Sequence, residues 1–195
     1  KSLEGRLAPD RCGSRPMSSR DPAQPPAAWR AFLFSGRFLT RLPLPDPGAL
    51  AVQEQGWAAL FYPAVGLLIG AVLAVAALPL DTAPSLAGAA VLLVLWTWLS
   101  GGLHLDGLAD CADAWVGGLG SRERTLQILK DPHSGAMAVV AVTVVLLAKL
   151  AGLAALLEAA ITPLQLALVL LLLPALGRSQ LLALALTTAS ARAEG

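Results

Sequence analysis

Charge is scarce in this sequence. Lys, Arg, Asp and Glu make up 14% of it, against about 25% in an ordinary soluble domain. Residues 57–80 and 82–103 hold none of the four, so a water-soluble surface cannot be built from those stretches. Aromatic residues are few and there are only two cysteines, Cys12 and Cys111, which excludes a disulfide framework. No basic block interleaved with aromatic residues is present, so the usual nucleic-acid surface is excluded as well. The net charge is only +1.

What the sequence has in quantity is apolar residue, at 56%. That composition points to an all-α, polytopic integral membrane protein with four or more transmembrane helices. "WAALFYPAVGLLIGAVLAVAALPL" (57–80) is the first expected span, and residues 82–103 the second, joined as a hairpin. Gly66 and Gly70 form a GxxxG pattern that allows close helix contact. Trp96 and Trp98 stand near the end of the second run, where aromatic side chains often anchor at an interface. Residues 136–157 read as a third span, interrupted only by Lys149. Residues 159–191 read as one long span carrying Arg178 and a kink candidate, Pro174.

Two stretches lie outside this pattern. Residues 1–28 are rich in Arg, Pro and Ser and read as a disordered leader to a membrane domain at 29–195. They begin with Lys and hold no signal-peptide apolar core, which reads as a fragment or a processed form. Polar residues fill 104–135.

Positive charge orients the chain. Lys1, Arg6, Arg11, Arg15, Arg20, Arg30, Arg37 and Arg41 precede the first span, and Arg122, Arg124 and Lys130 lie in the loop after the second. The turns near 81 and 158–163 have none, and Arg192 closes the tail. That alternation predicts a cytoplasmic N-terminus and a cytoplasmic loop at 104–135.

The loop opens with "LSGGLHLDGLADCADAW" (99–115), which sets Asp106, Asp110 and Asp113 directly after an uncharged run. In a helix, spacings of four and three put them on ~60° of arc. Three carboxylates so close repel one another unless a cation lies among them, and hard oxygen donors suit Mg²⁺ or Mn²⁺. Mg²⁺ in turn implies a phosphate-bearing substrate. His104 falls on the opposite side of that helix and is a poor ligand for the same ion. Gly107 leaves room for a bulky phosphate group. Arg122, Arg124 and Lys130 supply cations that a diphosphate requires, and Asp131 suits a fourth ligand or a base; His133 is left without a role. The plainer alternative is a set of solvated aspartates at a membrane edge, with Arg122 and Arg124 acting only as topology signals. Lys149 and Arg178 lie within apolar runs, where charge is rare and usually functional or paired. Snorkelling, pairing with a carboxylate and contact with a substrate phosphate all stay open for Lys149.

Four segments then carry a resemblance. "RFLTRLPLP" (37–45), "FYPAVGLLIG" (61–70), "GGLHLDGLADCADAW" (101–115) and "LKDPHSGAMAVVAV" (129–142) resemble, in the same order, the cobalamin synthase family (adenosylcobinamide-GDP ribazoletransferase, also cobalamin-5'-phosphate synthase). The likeness runs from about residue 30 to the end. It implies an Mg²⁺-requiring enzyme of the bacterial inner membrane, with adenosylcobinamide-GDP and α-ribazole or its 5'-phosphate as substrates and GMP released. A homo-oligomer is left open. Carried over, Asp106, Asp110 and Asp113 would hold the metal, and Lys130, Asp131 and Gly135 match the family's "KD" segment. Ala138 departs from an expected glycine and His133 from a common arginine. The family also continues beyond "ARAEG", so further apolar segments are expected of it.

Two rival readings rest on the same residues. CDP-alcohol phosphotransferases share an "Asp-Gly" start, but Asp110 and Cys111 stand where they carry Ala-Arg. A transporter using Lys149 and Arg178 would favour internal repeats, and the sequence has none that is convincing.

Overall fold

A computed structural model describes residues 26–50, 52–131 and 133–188. Residues 1–25 of the expected leader, with Cys12 and five of its basic residues, lie outside these, as does Arg192. The leader's last two positions, Ala27 and Ala28, already belong to a helix. Among the described residues the fold is all-α: α1 (Ala27–Leu39), α2 (Val52–Ala58), α3 (Tyr62–Ala77), α4 (Ser85–Leu99), α5 (Leu103–Gly117), α6 (Arg122–Ile128), α7 (Ala136–Glu158) and α8 (Pro163–Thr187).

Among the described residues, three helical stretches are long and apolar enough to cross a membrane. They are Gly56–Leu80, in which two 3-10 turns flank α3, Ala136–Glu158, and Pro163–Leu184. α4 and α5 together make a fourth if the bent pair counts as one span, for they meet at 85°. Here the structure corrects the sequence reading of an unbroken span over 82–103. α4 has 15 residues and is therefore about 22 Å long, short of a ~30 Å hydrocarbon core. The cause is local. The Ser100 hydroxyl donates back to the carbonyls of Trp96 and Thr97 at 2.9 and 3.2 Å. Gly101 and Gly102 then take φ of 64° and 72°, a left-handed turn that an L side chain resists. The polar stretch that follows folds as α5 and α6 rather than as a loop.

The last apolar run is one helix, with Pro174 inside it. Pro163 fits its first turn, where a proline costs no hydrogen bond, and Thr162 and Gln165 form a reciprocal capping box.

Packing follows the small residues. On α3, a Cβ added to Gly66 would stand 2.5 Å from Ala175 Cα, and one added to Gly70 would stand 2.6 Å from Leu171 Cα. The GxxxG face thus lies directly on the α8 backbone around the buried Pro174. Lipid tails are as apolar as leucine, so close van der Waals fit of this kind is what associates helices in a bilayer. Ile69 and Leu73 of α3, Ala89 and Leu92 of α4, Leu153 of α7 and Leu170 of α8 form the shared core.

α7 serves as the backboard for the bent pair. The Ser85 hydroxyl at the start of α4 bonds Glu158 at the end of α7, while Asp113 near the end of α5 reaches the start of α7. Much of the rest of α7, including Val139, Val144 and Leu147, faces outward.

Candidate functional site

α5 is helical from Leu103 to Gly117, so Asp106, Asp110 and Asp113 do share one face, as their spacing predicts. Their environments differ. Asp106 and Asp110 make no side-chain hydrogen bond or ion pair among the described residues, and Asp106 is exposed. Asp113 is committed: its two carboxylate oxygens accept the backbone N–H groups of Gly135 and Ala138, the latter at 2.9 Å. Gly135 is the N-cap of α7, so this carboxylate caps α7 from a neighbouring helix, where unpaired N–H groups and the helix dipole favour negative charge. Gly135 has to be small for this to happen. A Cβ there would come within 2.7 Å of an Asp113 oxygen.

The donor chemistry fits a hard divalent cation, since Asp106 and Asp110 offer free carboxylate oxygens and each Asp113 oxygen keeps a lone pair. The side chains are not gathered around one point, however. Among the described residues no group of three or more His, Cys, Asp or Glu stands close enough to hold a metal ion. Helix rise explains it, because Asp106 and Asp113 are separated by about 10.5 Å along the axis.

Asp113 and Asp131 meet across a cavity of about 410 Å³ between the end of α5, the 129–135 connection and the start of α7. His133 also lines it and gains a role the sequence did not suggest. Its backbone N–H donates to Asp131 Oδ1 at 3.0 Å and its ring Nδ1 lies 2.7 Å from the same atom. Those bonds hold the Asp131 carboxyl below the usual carboxylate range. Asp106 faces a different recess with Gly101, Gly102 and Val142. Nothing within 4 Å would oppose a Cβ at Gly107, so the fold itself does not require glycine there.

The predicted cations fall into two groups. Arg122, Arg124 and Lys130 are exposed on α6 and the turn after it, which packs back on the end of α5 through Thr125 against Gly118. Lys149 and Arg178, 29 positions apart on α7 and α8, are brought to one cavity of about 520 Å³. Sequence reasoning missed the other two members of that cluster. Lys149 Nζ donates to His104 Nε2 at 2.8 Å and stands 4.9 Å over the Trp96 ring. The placement of His104 away from the aspartate face was the available signal, and it was used only to exclude a ligand.

Comparison with known proteins bears on the same residues. The family model described as "Cobalamin-5-phosphate synthase" matches residues 31–195. A protein named adenosylcobinamide-GDP ribazoletransferase from Pseudomonas aeruginosa (strain UCBPP-PA14) is 54% identical over 171 residues, covering 86% of this chain and 66% of that relative. The proteins of the same name from Pseudomonas paraeruginosa (strain DSM 24068 / PA7) and Pseudomonas fluorescens (strain SBW25) are 55% and 51% identical over 168 and 164 residues. The chain thus spans just under two thirds of the length of these relatives. No solved structure matches it.

Proposed function

Because the chain belongs to the cobalamin-5-phosphate synthase family, we propose that the whole protein joins adenosylcobinamide-GDP to α-ribazole, or to its 5'-phosphate, and releases GMP. A ribose hydroxyl oxygen attacks the phosphorus nearer the corrinoid arm. The bond from that phosphorus to the bridging oxygen breaks, GMP leaves with that oxygen, and the hydroxyl proton is given up. The product is adenosylcobalamin or its 5'-phosphate.

The observation that carries this reading is the α5 face. Asp106 and Asp110 present unpartnered carboxylates beside a glycine whose missing side chain the protein's own packing does not use. Of the set Asp106, Asp110 and Asp113, whose ends stand about 10.5 Å apart along the axis, Asp110 with either neighbour rather than all three at one point would hold Mg²⁺, which when bound supplies charge neutralisation on the phosphoryl oxygens. Asp131, held below the usual carboxylate range by His133, is suited to binding a cation and is a weak base at neutral pH. Arg122, Arg124 and Lys130, exposed on α6 and the turn after it, would meet the diphosphate as GMP departs. The distribution of Lys and Arg supports the bacterial inner membrane with this face toward the cytoplasm, the side from which nucleotides arrive.

The test is GMP release by membranes carrying the whole protein, given adenosylcobinamide-GDP, α-ribazole or its 5'-phosphate, and Mg²⁺. The expected result is release that falls ~100-fold or more in Asp106→Asn. Silence of the whole protein with both ribazole forms would overturn the reaction, and an unchanged rate in Asp106→Asn would overturn the role of the α5 face. CMP in place of GMP, from a cytidine diphosphate alcohol, would transfer the chain to the lipid-synthesis class.

A further inference from the structure

The cavity that holds Lys149 and Arg178 has donors and no counter-charge. Each side chain comes from the interior of an apolar helix, α7 or α8. Neither makes an ion pair among the described residues, where the salt bridges are Arg30–Glu54 and His133–Asp131. Lys149 spends one of its three N–H groups on His104, which accepts as the neutral ring with its proton on Nδ1. Arg178 makes no hydrogen bond among the described residues, leaving its five N–H donors unspent. Trp96 Nε1, whose indole ring lines the same cavity, is buried without a partner. Two cations facing one space in a membrane-spanning bundle are costly unless an acceptor-rich anion enters.

The shape of the space narrows the ligand. At about 520 Å³ it exceeds what a bare anion fills. Phe38 and Leu181, each about half exposed at 54% and 48%, give it an apolar rim. The planar guanidinium fork and the lysine beside it suit the oxygens of a phosphate. The site is distinct from the aspartate face, since His104 lies ~160° around α5 from Asp106.

We propose that this cavity is a second anion site, which takes the phosphate of an amphiphilic phosphate ester and lays the ester's apolar or aromatic body along the Phe38–Leu181 rim. The phosphate sits between Lys149 and Arg178, beside the Trp96 ring that Lys149 overlies. Two sources carry that chemistry, a membrane phospholipid and a phosphorylated nucleoside substrate.

The experiment uses the purified whole protein in non-ionic detergent and two pairs of probes that differ by a phosphate. One pair is phosphatidic acid and diacylglycerol; the other is α-ribazole 5'-phosphate and α-ribazole. Thermal unfolding is read in the parent and in the double variant Lys149→Met, Arg178→Met. In the parent, the phosphate-bearing member of at least one pair, at about ten times its dissociation constant, raises Tm by ~3–6 °C over its partner. In the double variant the rise disappears, and the pair that responds identifies the source. Removing two unpaired cations from an apolar cavity should leave the fold intact. If the variant nevertheless fails to fold, the Trp96 share of the fluorescence, taken as parent minus Trp96→Phe, decides. A change with the phosphate-bearing member alone supports the site. No rise with either pair, a rise that persists in the double variant, or a silent Trp96 overturns it. GMP is not measured in any arm, so the cavity stands or falls apart from the transfer reaction.

Discussion

A carboxylate that caps another helix is harder to replace than one that faces solvent, and α5 carries both kinds. Asp113→Ala removes the acceptors for two N–H groups at the start of α7. Loss of a cap typically costs about 0.5–2 kcal/mol. Asp106→Asn and Asp110→Asn touch no protein partner and should stay within about 0.5 kcal/mol of the parent. Thermal melts in detergent check this, and a melt of Asp106→Asn as low as that of Asp113→Ala would sink the distinction. The same logic separates two glycines. Gly135→Ala drives a methyl against the Asp113 carboxylate and should melt like Asp113→Ala. Gly107→Ala, inside α5 with open space at its Cβ, should melt at or slightly above the parent yet release GMP more slowly, because only substrate would use the space. At Asp131 the expected change is in titration. His133→Ala removes the ring bond, the larger of the two that hold that carboxyl low, and keeps the backbone N–H one, so its pKa should rise part of the way toward the ordinary value. Carbon NMR of the labelled carboxyl would read the shift, and an unmoved Asp131 would mean that His133 is a bystander.

Helices end where backbone chemistry ends them, and hydropathy is blind to that. "LSGG" is as uncharged as the run before it, so an apolar count carries the second span through to residue 103. What stops α4 at Leu99 is a serine turned back on its own helix and two glycines of left-handed φ. Gly101→Ala should therefore cost about 1–2 kcal/mol for the handedness alone, a loss that denaturant melts would register. Without it, the 85° bend would not depend on this turn. The GxxxG pair was legible as a packing face, but its partner was not, because one face of small residues does not say which helix it meets. The structure supplies α8, at Leu171 and Ala175. Gly66→Leu or Gly70→Leu should force the helices apart and cost about 1–3 kcal/mol, whereas Gly152→Leu on the open face of α7 should cost little.

Across the whole molecule, the expected site residues sort by distance in sequence. The α5 aspartates lie within eight residues, and their common face could be read from helical spacing alone. The pairing of Lys149 with His104 crosses 45 positions, and the meeting of α7 with α8 in one cavity depends on how the α3–α8 pair docks against the rest. Local pattern cannot supply either. Orientation in the membrane is likewise a property of the whole chain, argued from the spread of Lys and Arg. Cys111 makes that argument testable, because it is a free, exposed thiol on α5 between Asp110 and Asp113. With Cys111 as the only cysteine retained, a membrane-impermeant maleimide should label the protein in inverted vesicles and leave it unlabelled in intact spheroplasts. Mg²⁺ together with adenosylcobinamide-GDP should slow that labelling if the neighbouring carboxylates hold the metal and its substrate. Labelling from the outer side would put the aspartate face where no nucleotide pool exists, and would remove the topological support for the proposed reaction while leaving the α5 geometry intact.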